Sequence, residues 1–252
     1  MTKLSLAWLA GCTLALSAPN PAFATPPDII DIVETPFGLS ETHLFVLRSS
    51  SDNLGLYDSM RTETFLVAID LSTGEEEFWL VDRAERTLEY DVDGDPLDHV
   101  VKRDAGATVI NPISILTERG GLVWSAIELT LVEPTLGETE TGYTLSYPGG
   151  ITFGIDKTTI AQRFARMTTF MAENVADRRR MSTMSTREVF AGRFASADDC
   201  KPGDVLESAA MRAYRVFQIV RVDCTADVDD GITAFVSVWP VVSDNGSTND
   251  GP

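Results

Sequence analysis

Any chemistry in this chain would have to come from carboxylates, arginines and cysteines. Its 252 residues include only two histidines, His43 and His99, beside three cysteines and 38 acidic side chains. The densest acidic run holds Asp91, Asp93, Asp95 and Asp98 within eight residues. Oxygens this close suit calcium, a hard cation that takes roughly six to eight oxygen ligands. The spacing departs from an EF-hand loop: Gly94 stands fourth rather than sixth, Pro96 follows the third acid, and no closing glutamate is present. The same Asp, Gly and Pro content also describes a solvated turn. A carboxylate pair could serve hydrolysis as general acid and base, but composition singles out no particular two. The chain carries no G-x-S-x-G, H-E-x-x-H, phosphate loop or dinucleotide fingerprint. The sequence therefore implies no cofactor and favours a protein that is not an enzyme.

Arginine is concentrated in one place. Residues 157–193 hold Lys157, Arg163, Arg166, Arg178, Arg179, Arg180, Arg187 and Arg193 against Glu173, Asp177 and Glu188, a local excess of five positive charges in a chain of net charge −18. Arg163, Arg166, Arg178, Arg179 and Arg180 could form a docking face for an acidic partner or anionic ligand, since guanidinium forks orient carboxylates and phosphates. The competing expectation is that they pair with the chain's own carboxylates. The overall acidity argues against nucleic acid and anionic membrane surfaces as partners. Met167, Met171, Met181 and Met184 could be thioether ligands for copper(I). However, the first two lie on an apolar stripe, where core packing accounts for them.

Cysteine usage bears on the compartment. Residues 1–24 read as a signal peptide: Lys3 supplies the positive start, Leu4–Leu16 the apolar run, and Ala22-Phe23-Ala24 the small-residue cleavage site. A rival reading takes Leu9-Ala10-Gly11-Cys12 as a lipobox, with a lipid anchor at Cys12. No other stretch approaches the ~20 apolar residues of a membrane span. The expected location is periplasmic or secreted. Two cysteines remain in the mature chain, Cys200 and Cys224, and in an exported protein they are expected to form a disulfide worth about 3 kcal/mol.

The elements that must position these groups read as α+β, with a mainly antiparallel sheet. One long amphipathic helix is expected at about 157–178. Ile160, Phe164, Met167, Met171 and Val175 fall on one face, with Thr159 and Gln162 as a capping box and Asp156 as a competing cap. A short helix is expected near 112–119, opened by Asn111-Pro112 and closed near Gly120. Residues 25–41 read as an N-terminal linker with a candidate strand at Ile29–Val33. Residues 42–242 read as a single domain, with two tight subdomains meeting near residue 150 as the alternative. Residues 243–252 read as a disordered tail. Expected strands include His43–Arg48, Phe65–Asp70, Glu77–Val81, Tyr214–Cys224 and Ile232–Val242, with Ser49–Asn53 a polar loop and Cys200 in a loop over 196–204.

LVAIDLSTGEEEFW, residues 66–79, resembles one strand-turn-strand unit of quinoprotein-type β-propellers. A propeller needs that unit several times at a fixed period, and it occurs here once, so the stretch reads as a single hairpin.

Taken together, the sequence points to an exported acidic protein that binds a partner or ligand in the cell envelope. A carboxylate-dependent hydrolase and a calcium-stabilised structural domain are the alternatives.

Overall fold

The computed structural model describes residues 28–56, 58–103, 110–123, 130–132, 134–146, 152–177, 185–191, 200–207, 218–228, 232–238 and 241–242. The leader at 1–24, Cys12, Arg178, Arg179, Arg180, Met181, Met184 and the tail at 243–252 lie outside the described residues.

The fold is α+β and rich in antiparallel sheet. The strands are β1 (Asp28–Leu39), β2 (His43–Asp52), β3 (Ser59–Asp70), β4 (Glu76–Tyr90), β5 (Pro96–Arg103), β6 (Leu122–Val123), β7 (Thr130–Val132), β8 (Thr135–Glu138), β9 (Gly142–Ser146), β10 (Thr152–Asp156), β11 (Cys200–Glu207), β12 (Gln218–Val228), β13 (Ile232–Val238) and β14 (Val241–Val242). The helices among the described residues are α1 (Pro112–Glu118), α2 (Lys157–Asn174) and α3 (Thr186–Ala191). The main sheet runs β5-β4-β3-β2-β1-β13-β12-β11-β7, with β6 on β1 and β14 on β12, while β10-β9-β8 form a second sheet. β1 against β13 is the one parallel pairing among the described strands.

β1 corrects the expected linker. Ile30 and Ile32 are fully buried and Glu34 nearly so, an alternation that places one face of the strand in the core. Pro36 sits where the pairing with β2 shifts register, a position that tolerates its missing amide donor. β2 likewise continues through Ser49–Asp52, which reads as a loop from sequence, because its inward positions Ser50 and Asp52 are polar.

The main sheet is covered on both faces. Leu44, Val46, Phe65 and Val67 face a core shared with Ile160, Phe164, Met167 and Met171 of α2, Phe190 of α3, and Tyr143 and Leu145 of the small sheet. On the other face Phe45, Leu66 and Ala68 pack with Leu116 of α1. Asn111 caps α1 by accepting the Ile113 amide at 3.0 Å.

α2 starts where expected but differs in its cap motif and at its C-terminal end. It begins at Lys157 with Asp156 as N-cap, so Thr159 lies inside the first turn and forms no capping box. The Lys157 amide instead donates to the Thr141 carbonyl. The helix stops at Asn174, before the arginine run, with Val175 as an extended C-cap.

Cys200 opens a strand rather than occupying a loop. It stands directly opposite Cys224 in the β11–β12 ladder and is disulfide-bonded to it. The Tyr143 hydroxyl donates to the Cys200 carbonyl at 2.8 Å, fastening the small sheet to this corner.

Candidate functional site

The most concentrated polar chemistry lies inside the protein, on the sheet face under α2. Period-two alternation aims Glu34 of β1 and Arg48 of β2 into the same interface, where they are opposite each other in the ladder. The Arg48 Nε and Nη2 donate to Glu34 Oε1 at 2.9 and 2.6 Å. Its Nη1 and Nη2 donate to Glu76 Oε2 and Oε1 of β4 at 2.9 and 3.0 Å. Arg163 descends from α2 onto the same two carboxylates, with Nη1 on Glu76 and Nη2 on Glu34. Arg48 also lies over the Phe170 ring, 4.6 Å from its centroid, a cation–π contact.

Two guanidinium groups and two carboxylates thus balance in charge where water is excluded. Burial opposes the charge on Arg48, but Glu34 and Glu76 outweigh it and hold its pKa above the ordinary value. Burial likewise opposes ionisation of Glu76, and Arg163 and Arg48 outweigh it, holding that carboxyl below its usual range.

A second charged group lies further along the same face, where the chain leaves α2. Glu63 of β3 accepts from Arg61 Nε at 2.9 Å and pairs with Arg83 Nε of β4 at 2.9 Å. Its two oxygens also take the Ala176 amide at 3.3 and 3.2 Å, just past the helix end. Asp52 stands opposite Arg61 in the β2–β3 ladder. It accepts the Leu54 amide at 2.7 Å and the Thr186 hydroxyl at 3.2 Å, which ties the start of α3 to the sheet. Burial pushes the Asp52 carboxyl up to about 6, against the opposing pull of the Leu54 amide, Thr186 and Arg61.

A raised carboxyl pKa is one mark of a catalytic acid. Asp52, however, is only 3% exposed and its oxygens hold the protein's own backbone and hydroxyl donors. The arrangement clamps α2 and α3 to the sheet. It does not present an acid to solvent.

The expected site residues fall in different places. Arg163 is not on a docking face: it is 6% exposed and occupied by Glu34 and Glu76, because its position on α2 points into the sheet. Arg166 is exposed, and its Nη1 and Nη2 donate to the carbonyls of Gly74 and Thr73 at 2.6 and 3.2 Å, gripping the β3–β4 turn. That turn is built by Asp70, whose Oδ1 accepts from the Ser72 amide and hydroxyl and the Thr73 amide; these bonds hold its pKa well below the usual carboxylate range. Asp91 does comparable work in the β4–β5 turn, accepting the amides of Asp93 and Asp95 at 2.9 Å each. Asp93 and Asp95 are exposed in that turn, and the Asp98 side chain lies outside the described residues. Among the described residues no group of three His, Cys, Asp or Glu side chains is placed to hold a metal ion, and no described helix is long and apolar enough to cross a membrane.

Sequence reasoning missed Glu34, Arg48, Asp52, Arg61, Glu63, Glu76 and Arg83. Their signal is the spacing Arg48-x-Ser50-x-Asp52 and Arg61-x-Glu63, opposite charges alternating with period two on neighbouring strands. Comparison of the chain with family models, curated proteins and solved structures finds no match.

Proposed function

We propose that this chain is an exported, acidic, non-enzymatic protein that binds a partner or ligand in the cell envelope. The observation that carries the reading is the use of its inward charges. Glu34, Glu76, Glu63 and Asp52, inward carboxylates on the sheet face that carries α2 and α3, hold the protein's own arginines, amides and a hydroxyl. They are positioned to fasten helices rather than to meet a substrate. Export is supported by the leader-like residues 1–24 and by the Cys200–Cys224 disulfide, a bond that persists in oxidising compartments.

The test is the native mass of the mature protein released gently from its own envelope. A complex of this chain with a second protein is expected. A lone chain with nothing attached overturns the reading. Charge reversal of Arg178, Arg179 and Arg180 to Glu then asks whether the arginine run is the docking face. Unchanged partner binding removes it from the reading.

A further inference from the structure

We propose that the end of the β4–β5 hairpin is a docking finger for a protein partner that offers an apolar cleft rimmed by lysine and arginine. The proposal rests on the partner-binding reading above and assigns it a surface.

The hairpin outruns the sheet that carries it. β3 pairs with β4 only as far as Ser59 opposite Thr87, closed by the Leu88 amide on the Asp58 carbonyl. β4 and β5 continue together to Tyr90 opposite Pro96. Beyond Leu88 the ribbon therefore has two strands and no third neighbour among the described residues. A two-stranded ribbon has no interior of its own.

Its end is nevertheless apolar. Val92 is fully exposed, Leu97 is 63% exposed and Tyr90 48%. Solvent-facing turns are ordinarily built from Gly, Asn, Asp, Pro and Ser, so valine at the apex answers no local need of the turn. The turn is already fixed without it, by Asp91 accepting the Asp93 and Asp95 amides and by Gly94 at φ +86°. Tyr90, opposite Pro96, and Leu97 lie on opposite faces of the ribbon, so a cleft that closes around its end would bury apolar side chains from both sides. The polar rim has one sign: between Leu88 and His99 lie Glu89, Asp91, Asp93, Asp95 and Asp98, with no lysine or arginine. Complementarity therefore requires a cationic rim on the partner. An acidic partner or an anionic surface would be repelled.

The test uses the full mature chain in its own envelope. A photoreactive phenylalanine analogue at position 92 is expected to cross-link a protein through a segment in which lysine or arginine borders apolar residues. The same analogue at the exposed position 173 on α2 is expected to give none. The variant Val92→Asp/Leu97→Asp then separates docking from general charge attraction. Added carboxylates strengthen general attraction to a cationic partner, whereas losing two apolar anchors weakens docking by about tenfold or more. An unchanged melting temperature is expected as well, because no other described strand pairs with the end of the ribbon. Three outcomes overturn the finger while leaving the partner-binding reading intact. They are a complex that survives the double variant, a cross-link to an acidic segment, or a complex lost only when Arg178, Arg179 and Arg180 are reversed. Absence of any complex from the wild-type chain overturns both.

Discussion

Arg48 of β2 and Arg163 of α2 share the same two carboxylates, Glu34 and Glu76. One guanidinium comes from the sheet and one from the helix, so the helix is seated by charge as well as by its apolar residues. The arrangement sets both the height and the rotation of α2 over the sheet. Sliding α2 by one turn would move Arg163 away from both acids.

Arg163→Met is therefore expected to destabilise the fold by about 3–5 kcal/mol, because it leaves Glu34 and Glu76 buried with half their positive partners. The quadruple change of Glu34, Arg48, Glu76 and Arg163 to apolar residues of similar size is expected to cost much less, since no charge is then left uncompensated. Urea unfolding of the two proteins makes the comparison. A loss below about 1 kcal/mol for Arg163→Met would show that the network does not hold the helix.

The same inward charges explain what was and was not legible in the sequence. The inward apolar positions of α2, the hairpin turn around Ser72–Glu75, the Asn111 cap and the Cys200–Cys224 pair all follow local rules of period, turn chemistry or compartment. The polar halves of β2, β3 and β4 do not. At Asp52, Arg61, Glu63 and Arg83 the inward residues are charged, so alternation of polarity along the chain vanishes where the strands are still half-buried. Arg61 and Glu63 are partners two residues apart on β3, but Asp52, Arg83, Ala176 and Thr186 reach them or each other from other strands or from beyond α2, and the strand register brings these together. β1 was legible only as the candidate strand Ile29–Val33: Pro36 and Gly38 suggest a linker beyond it, while its parallel partner β13 lies some 200 residues further on.

Loss of the disulfide should be felt at the corner where β11, β12 and the small sheet meet. Cys200 and Cys224 are separated by 24 residues, and closing a loop of that size stabilises by about 3 kcal/mol in the chain-entropy model. Cys200→Ser/Cys224→Ser is expected to lower the denaturant midpoint correspondingly, and dithiothreitol should no longer affect the variant. Equal stability of oxidised and reduced wild-type protein would contradict this.

Gly74 and Arg166 are expected to be energetically coupled. Gly74 adopts φ +69°, and a Cβ there would collide with Arg166 Nη1. Gly74→Ala should therefore cost about 1–2 kcal/mol, combining left-handed strain with loss of the arginine's grip on the turn. In an Arg166→Ala background only the strain remains, so the same change should cost less. A double-mutant cycle with no coupling would disprove the contact.

Stability should depend on pH through two buried carboxyls acting in opposite directions. The Asp52 carboxyl is raised to about 6 by burial, so the folded state binds a proton that the unfolded chain holds less tightly. Its contribution is fully present below the ordinary aspartate range and is lost as pH rises through about 6. Glu76 is held below its usual range by Arg163 and Arg48, so its contribution is present above the ordinary glutamate range and is lost as pH falls through its lowered folded value. Asp52→Asn removes the first effect and leaves the second. The variant should therefore gain on wild type as pH rises from 4 to 7, by up to about 3 kcal/mol at a little under 1.4 kcal/mol per pH unit. Unfolding curves of both proteins at several pH values give the difference directly. A constant offset between them would mean that Asp52 is ionised throughout, held by Arg61, Leu54 and Thr186 more firmly than burial opposes it.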